Sequence, residues 1–179
     1  EAGEYKAVVA NLLLAKGLNY GQLPKGLLTF HRSSAGVRKA FEEHLEEGAV
    51  YAANGKGQVN LHFTVSPDHL PLFEQLVAEK KAAYEQKYGV KYNISFSVQK
   101  ASTDTLAANM DNTPFRDEKG NLLFRPGGHG ALIENLNEQE ADVIFVKNID
   151  NVVPEKKKQA TVAYKQIIGG VLVSLQQKI

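Results

Sequence analysis

The sequence predicts an α/β domain: a mainly parallel sheet with helices on both faces, three layers in all. Two observations predict it. Stretches with period-two alternation, QVNLHFTV at 58–65 and KYNISFSV at 91–98, are separated by a helical pattern from Ser66 to Tyr88, and parallel neighbours require a crossover of this kind. A further apolar run, Val143–Val146, lies between two helical stretches and reads as a buried strand.

Taken in order, residues 4–15 place Val8, Val9, Leu12 and Leu13 at helical spacing, with Gly17 as the stop. LNYGQLPKGLLTFH is a loop followed by an extended segment. A second helix is expected over 38–53, with Phe41, Leu45 and Ala49 on one face, and NGKG at 54–57 is a turn. In the first strand Val59, Leu61, Phe63 and Val65 share a face. Ser66 followed by Pro67 is a helix start, and Gly89 is the corresponding stop.

Residues 99–130 are mostly polar and turn-forming, with DEKG at 117–120 a tight turn, and a loop of that length tends to carry function. A short helix follows near 131–138. The last helix spans 154–178 and is expected to be interrupted at Gly169–Gly170. No repeat or linker divides residues 1–179, so one domain is expected.

Composition narrows the function. The 21 basic and 20 acidic residues leave a net charge of +1, so no overall field favours nucleic acid or an anionic membrane. Any anionic ligand must be held locally. The absence of cysteine excludes disulfides, thiol catalysis and cysteine-based zinc sites, and it fits a cytoplasmic setting. No apolar run approaches the roughly 18–20 residues of a membrane span. The start is partly acidic, unlike a signal peptide, and the sole methionine is Met110, so the chain reads as a piece of a longer protein.

In open α/β sheets ligands bind beyond the carboxyl ends of the strands. There stand SPDH, QKASTD and NIDN, with RPGGHGAL opening a helix. Asp150, at a strand end between Asn148 and Asn151, is either a seat for magnesium or part of an Asn-Ile-Asp-Asn turn. His129, among glycines that let a ligand approach the backbone, either reaches a phosphate or sugar oxygen or has a local partner. Lys25, between Pro24 and Gly26, is either a point charge for phosphate or a solvated lysine. The lysines at 156–158 read as a solvated helix face, although cations are disfavoured at a helix N-terminus. Ser33–Ser34 reads as a turn, and His44 and His62 as structural. Neither a Gly-x-Ser-x-Gly elbow nor a P-loop is present, which argues against a serine hydrolase and a P-loop NTPase.

LPKGLL, Gln99, RPGGHGAL and FVKNIDNVV occur in the order found in the UTP–sugar-1-phosphate uridylyltransferases. The chain resembles that superfamily over nearly its whole length, and most of all a bacterial branch consisting of a domain of unknown function. The resemblance implies a nucleotide-diphospho-sugar-transferase-like fold. It implies that Lys25 contacts the triphosphate, Gln99 sits near the base, and Gly128 and Gly130 offer backbone to the uridine. His129 would reach the phosphates or sugar, and Asp150 would ligate magnesium. The implied partners are UTP and a sugar phosphate. The implied reaction is in-line attack of the sugar 1-phosphate on the α-phosphorus with release of pyrophosphate. The nucleophile is already ionised, so alignment and charge neutralisation are the main requirements. The competing expectation is a catalytically silent domain that keeps the fold for ligand binding or assembly.

Overall fold

The segment with the clearest alternation folds as a β–α–β unit. A computed structural model of the chain describes residues 3–33 and 36–179, so Ser34 of the serine pair lies outside the described residues. Strand β3 occupies Gln58–Val65, helix α3 Leu70–Tyr88 and strand β4 Lys91–Val98. β3 and β4 pair in parallel. Residues facing each other across the pair are hydrogen-bonded: Asn60 with Asn93, His62 with Ser95, Thr64 with Ser97. Entry into α3 differs in detail from the expected start at Ser66, because a 3-10 turn at Pro67–His69 precedes it. The helix stops at Gly89 in the left-handed region (φ 64°, ψ 32°), where a side chain would be strained.

The class is mixed α/β, with the strands in three two-stranded sheets among the described residues. Two compact units are present. One gathers the chain up to Leu61, His69–Ile94 and Val143–Ile179; the other holds His62–Asp68 and Ser95–Asp142.

In the first unit, helix α1 spans Tyr5–Leu13 and an antiparallel hairpin joins β1 (Thr29–Ser33) to β2 (Gly36–Lys39). Helix α2 runs over Ala40–Tyr51. Its helical pattern in the sequence starts at Arg38, but Arg38 and Lys39 belong to β2, where Arg38 pairs with His31. The Glu42 carboxylate accepts the Lys39 N–H and caps the helix (3.0 Å). Phe41 and Leu45 are fully buried, and the Phe41 ring lies 5.8 Å from that of Phe73 on α3. On another side Gly48 abuts Leu61, which leaves no room for a Cβ (2.8 Å). α2 is thus enclosed on nearly every side, and the core of this unit is built around it.

Two expectations are corrected here. Val143–Val146 forms no strand and is not a buried run: Val146 is 65% exposed. Side chains fix this segment instead of a ladder. The Phe145 ring stacks edge-on to Tyr51 at 5.3 Å, and Lys147 is ion-paired with Glu47. Helix α5, Lys158–Gln176, is continuous through Gly169–Gly170. Gly169 is packed against the Phe145 ring, which a Cβ would meet at 2.9 Å, so close approach, not a break in the helix, accounts for this glycine.

In the second unit the long polar stretch is a small antiparallel ribbon. Strands β5 (Thr105–Leu106) and β6 (Phe124–Arg125) pair, and isolated bridges join Ala108 to Pro114 and Arg116 to Leu122. The DEKG turn is present, with Gly120 at φ 81° and its N–H on the Asp117 carbonyl (2.9 Å). A 3-10 turn at His129–Leu132 leads into helix α4, Ile133–Asn137. α4 is anchored by buried Asn135, which donates to Ser97 Oγ and the Val98 carbonyl (both 2.9 Å). Among the described residues no helix is long and apolar enough to cross a membrane.

Candidate functional site

Pro24 (φ −70°) leads into a 3-10 turn at Lys25–Leu27, whose Leu27 is buried. Gly26 lies flat on the core: a Cβ there would be 2.8 and 2.9 Å from the Phe73 ring and 3.4 Å from Ile149. Close packing therefore requires glycine, and it sets the Lys25 loop beside the turn at 148–151. That turn is closed by the Asn151 N–H on the Asn148 carbonyl (3.1 Å). Lys25 Nζ and Asp150 Oδ2 stand 2.5 Å apart although 125 positions separate them.

The hydrogen bond from Lys25 holds the Asp150 carboxyl below its ordinary pKa. The two side chains are 64% and 34% exposed, and an ion pair this open to water adds little to stability. The turn and the charge site thus coexist at Asp150. Replacing Gly26 with alanine is expected to cost about 1–3 kcal/mol through overpacking. Thermal denaturation would show a melting point lower by roughly 2–4 °C per kcal/mol.

The second unit carries the other candidates. Gln99 Nε2 donates to Thr103 Oγ1 (3.1 Å). A Cβ on Gly127 would lie 2.7 Å from the Thr103 carbonyl oxygen, 2.9 Å from Ala131 Cβ and 3.4 Å from Gln99 Nε2, so Gly127 is demanded by packing beside Gln99. Gly128 and Gly130 differ. Neither has a positive φ, and a Cβ on either meets nothing within 4 Å among the described residues. Both are exposed, as is His129 between them. Neither turn geometry nor packing accounts for glycine at these two positions.

Each unit therefore assembles part of the expected set, Lys25 with Asp150 in one and Gln99 with the glycine loop in the other. Among the described residues no three histidines or carboxylates gather as a metal cage. Asp150 stands as one carboxylate beside a lysine. Magnesium commonly takes only one or two protein carboxylates and fills its remaining positions with phosphate oxygens and water. A lone exposed carboxylate such as Asp150 is chemically compatible with that limited part.

His44 Nε2 lies 2.9 Å from the Ile149 carbonyl, and burial lowers the pKa of its imidazole. His62 bridges the Ser95 and Ser97 hydroxyls (2.8 Å each), and burial lowers its pKa too.

One cluster has no counterpart in the sequence reading. Glu42, Glu43, Glu46 and Glu47 of α2 are all buried. Buried Arg38 pairs with Glu46, Lys147 with Glu47, and Lys158 with both Glu43 and Glu46 (3.0 Å to the latter). Lys158 is therefore no part of a solvated face. Its one sequence signal is a cation at a helix N-terminus, where the macrodipole opposes it.

The model of a family described as a domain of unknown function (DUF4301) matches residues 1–179. No curated protein and no solved structure matches the chain significantly.

Proposed function

This chain belongs to the DUF4301 family, and from that premise we propose that it is the nucleotide-binding part of a sugar-1-phosphate nucleotidyltransferase with a three-layer α/β fold. The reaction is transfer of the uridylyl group of UTP to a sugar 1-phosphate, with pyrophosphate leaving. The observation that carries this reading is the meeting of Lys25 and Asp150, from two segments far apart in sequence that both resemble the uridylyltransferases. A solvent-open cation and carboxylate suit a ligand that brings both negative phosphates and a bound metal.

In this reading Lys25 turns its ammonium from Asp150 to a phosphate oxygen, and Asp150 is released to hold magnesium. The metal would neutralise charge on the triphosphate. The roles that the resemblance gives the second unit are taken by themselves: there Gln99 would face a base, the Gly128 and Gly130 backbone a nucleoside, and His129 a phosphate or sugar oxygen. None of these residues has to remove a proton from the nucleophile, which is already an anion.

The test is calorimetric titration of UTP into the chain with and without magnesium. Magnesium-dependent binding is expected, weakened about ten- to a hundredfold in Asp150→Ala and in Lys25→Ala, the scale of a lost charge-assisted contact. His129→Ala is expected to weaken it as well. No binding by the folded chain in either condition would sink the proposal. A second reading, the catalytically silent domain, is favoured by one observation: the Asp150 carboxylate is already paired with Lys25. Nucleotide binding without pyrophosphate release would select it.

A further inference from the structure

The segment carrying Asp150 has no strand partner, so something other than a β-ladder must set where the carboxylate points. α2 supplies it. His44, Glu47 and Tyr51 lie at i, i+3 and i+7, one face of the helix. They meet Ile149, Lys147 and Phe145, alternate residues of the segment read in the opposite direction. Tyr51 and Glu47 grip side chains. His44 reaches the main chain, at the carbonyl immediately before Asp150.

We propose that His44 is a positioning residue, whose Nε2–H holds the 148–151 turn so that Asp150 stands against Lys25; its purpose rests on the ligand role given to Asp150 above. A carbonyl can only accept, so the ring must carry its proton on Nε2. His44 sits on the most enclosed helix of its unit, and α2 itself is tied down by the Tyr92 hydroxyl on the Leu45 carbonyl (2.7 Å). A rigid donor therefore sets the position of a segment that has no ladder of its own. Gly26 completes the arrangement, since Ile149 is packed on one side by that glycine and hydrogen-bonded through its carbonyl on the other.

The test compares His44→Leu, which removes the donor, with His44→Gln, which retains a side-chain N–H of similar reach, in the whole chain without ligand. Amide exchange at Asn151, whose N–H closes the turn, is expected to quicken about tenfold in His44→Leu and to stay near wild type in His44→Gln. The amides of α2 should keep their protection in both. Unchanged Asn151 exchange in folded His44→Leu overturns the proposal. Imidazole nitrogen shifts of the wild-type chain give a check that needs no variant: a proton on Nδ1 with Nε2 bare also overturns it.

Magnesium–UTP titration then separates the two ideas. Binding weakened by His44→Leu and kept by His44→Gln supports both. Loosened Asn151 in a chain whose wild type binds no UTP supports the positioning and overturns the nucleotide reading alone.

Discussion

Lys158→Met is expected to destabilise the chain by about 3–5 kcal/mol, the scale for breaking a buried ion pair by removing one partner. The Lys158 side chain is 8% exposed and its Nζ serves both Glu43 and Glu46. Without it those two buried carboxylates keep the Arg38 guanidinium, the His31 ring at 3.5 Å from Glu43, the Tyr88 hydroxyl on Glu46 and, at 3.7 Å from Glu46, the half-exposed Lys87. Methionine retains the length of the stem, so the loss is of charge more than of packing. Thermal denaturation should show a melting point roughly 6–20 °C lower. The exposed neighbours Lys156 and Lys157 should change stability by no more than about 0.5 kcal/mol when replaced with alanine.

Combining Lys158→Met with Glu43→Gln and Glu46→Gln should recover part of the loss, because the stranded charges are then gone. A single-variant loss below about 1 kcal/mol would mean that the cluster is not energetically coupled. Acid tests the same cluster. Burial pushes the Glu46 carboxyl up, but hydrogen bonds from Lys158 and Tyr88 and the charges of Lys158 and Arg38 outweigh it, and the net shift is below the ordinary value of 4.5. A carboxyl depressed in the folded state contributes stability above its unfolded pKa, and that contribution is lost as pH falls through the folded one. Wild-type stability should therefore fall on acidification below about pH 4.5, and the fall should be shallower in Lys158→Met.

Phe41→Ala is expected to cost about 3–5 kcal/mol, the usual range for a buried aromatic cut to alanine. The ring is fully buried, and it backs Phe73, whose own ring presses on Gly26. A cavity beneath Phe73 frees the floor of the Lys25 loop. Besides the lower midpoint in urea, amide exchange should quicken at Leu27 and Leu28, whose N–H groups bond the Pro24 and Lys25 carbonyls (2.9 and 3.2 Å). Val37→Ala, at a site 58% exposed, is the control and should lie within about 0.5 kcal/mol of wild type. A loss below about 1.5 kcal/mol for Phe41→Ala would show that the core closes over the gap.

Among the candidate site residues, legibility divides by range. The pairing of Pro24 with Gly26 around Lys25 marked a rigid loop, and the loop is rigid because Gly26 is pressed onto Phe73. That contact was not readable, since Phe73 lies 47 positions away. RPGGHGAL announced unusual backbone freedom, yet only packing separates Gly127, which must be glycine to fit, from Gly128 and Gly130, which need not be. The burial of the α2 glutamates has no local signal, because a helix with one apolar stripe normally turns its charges to water. Arg38 lies close by in sequence, but Lys147 and Lys158 stand about 100 or more positions downstream, and no local pattern reports that.

The sequence by itself determined β3, α3 and β4, the stop at Gly89 and the DEKG turn. Alternation, proline and glycine act within a few bonds of where they stand, so their consequences are local. Only the tertiary structure decided that Val143–Val146 would lie outside any sheet, that α5 would pass unbroken through two glycines, that four glutamates would be buried, and that Lys25 would meet Asp150. Each depends on which surface a segment finds to pack against. Apolar burial and charge pairing act between groups that touch in space, whatever their separation along the chain.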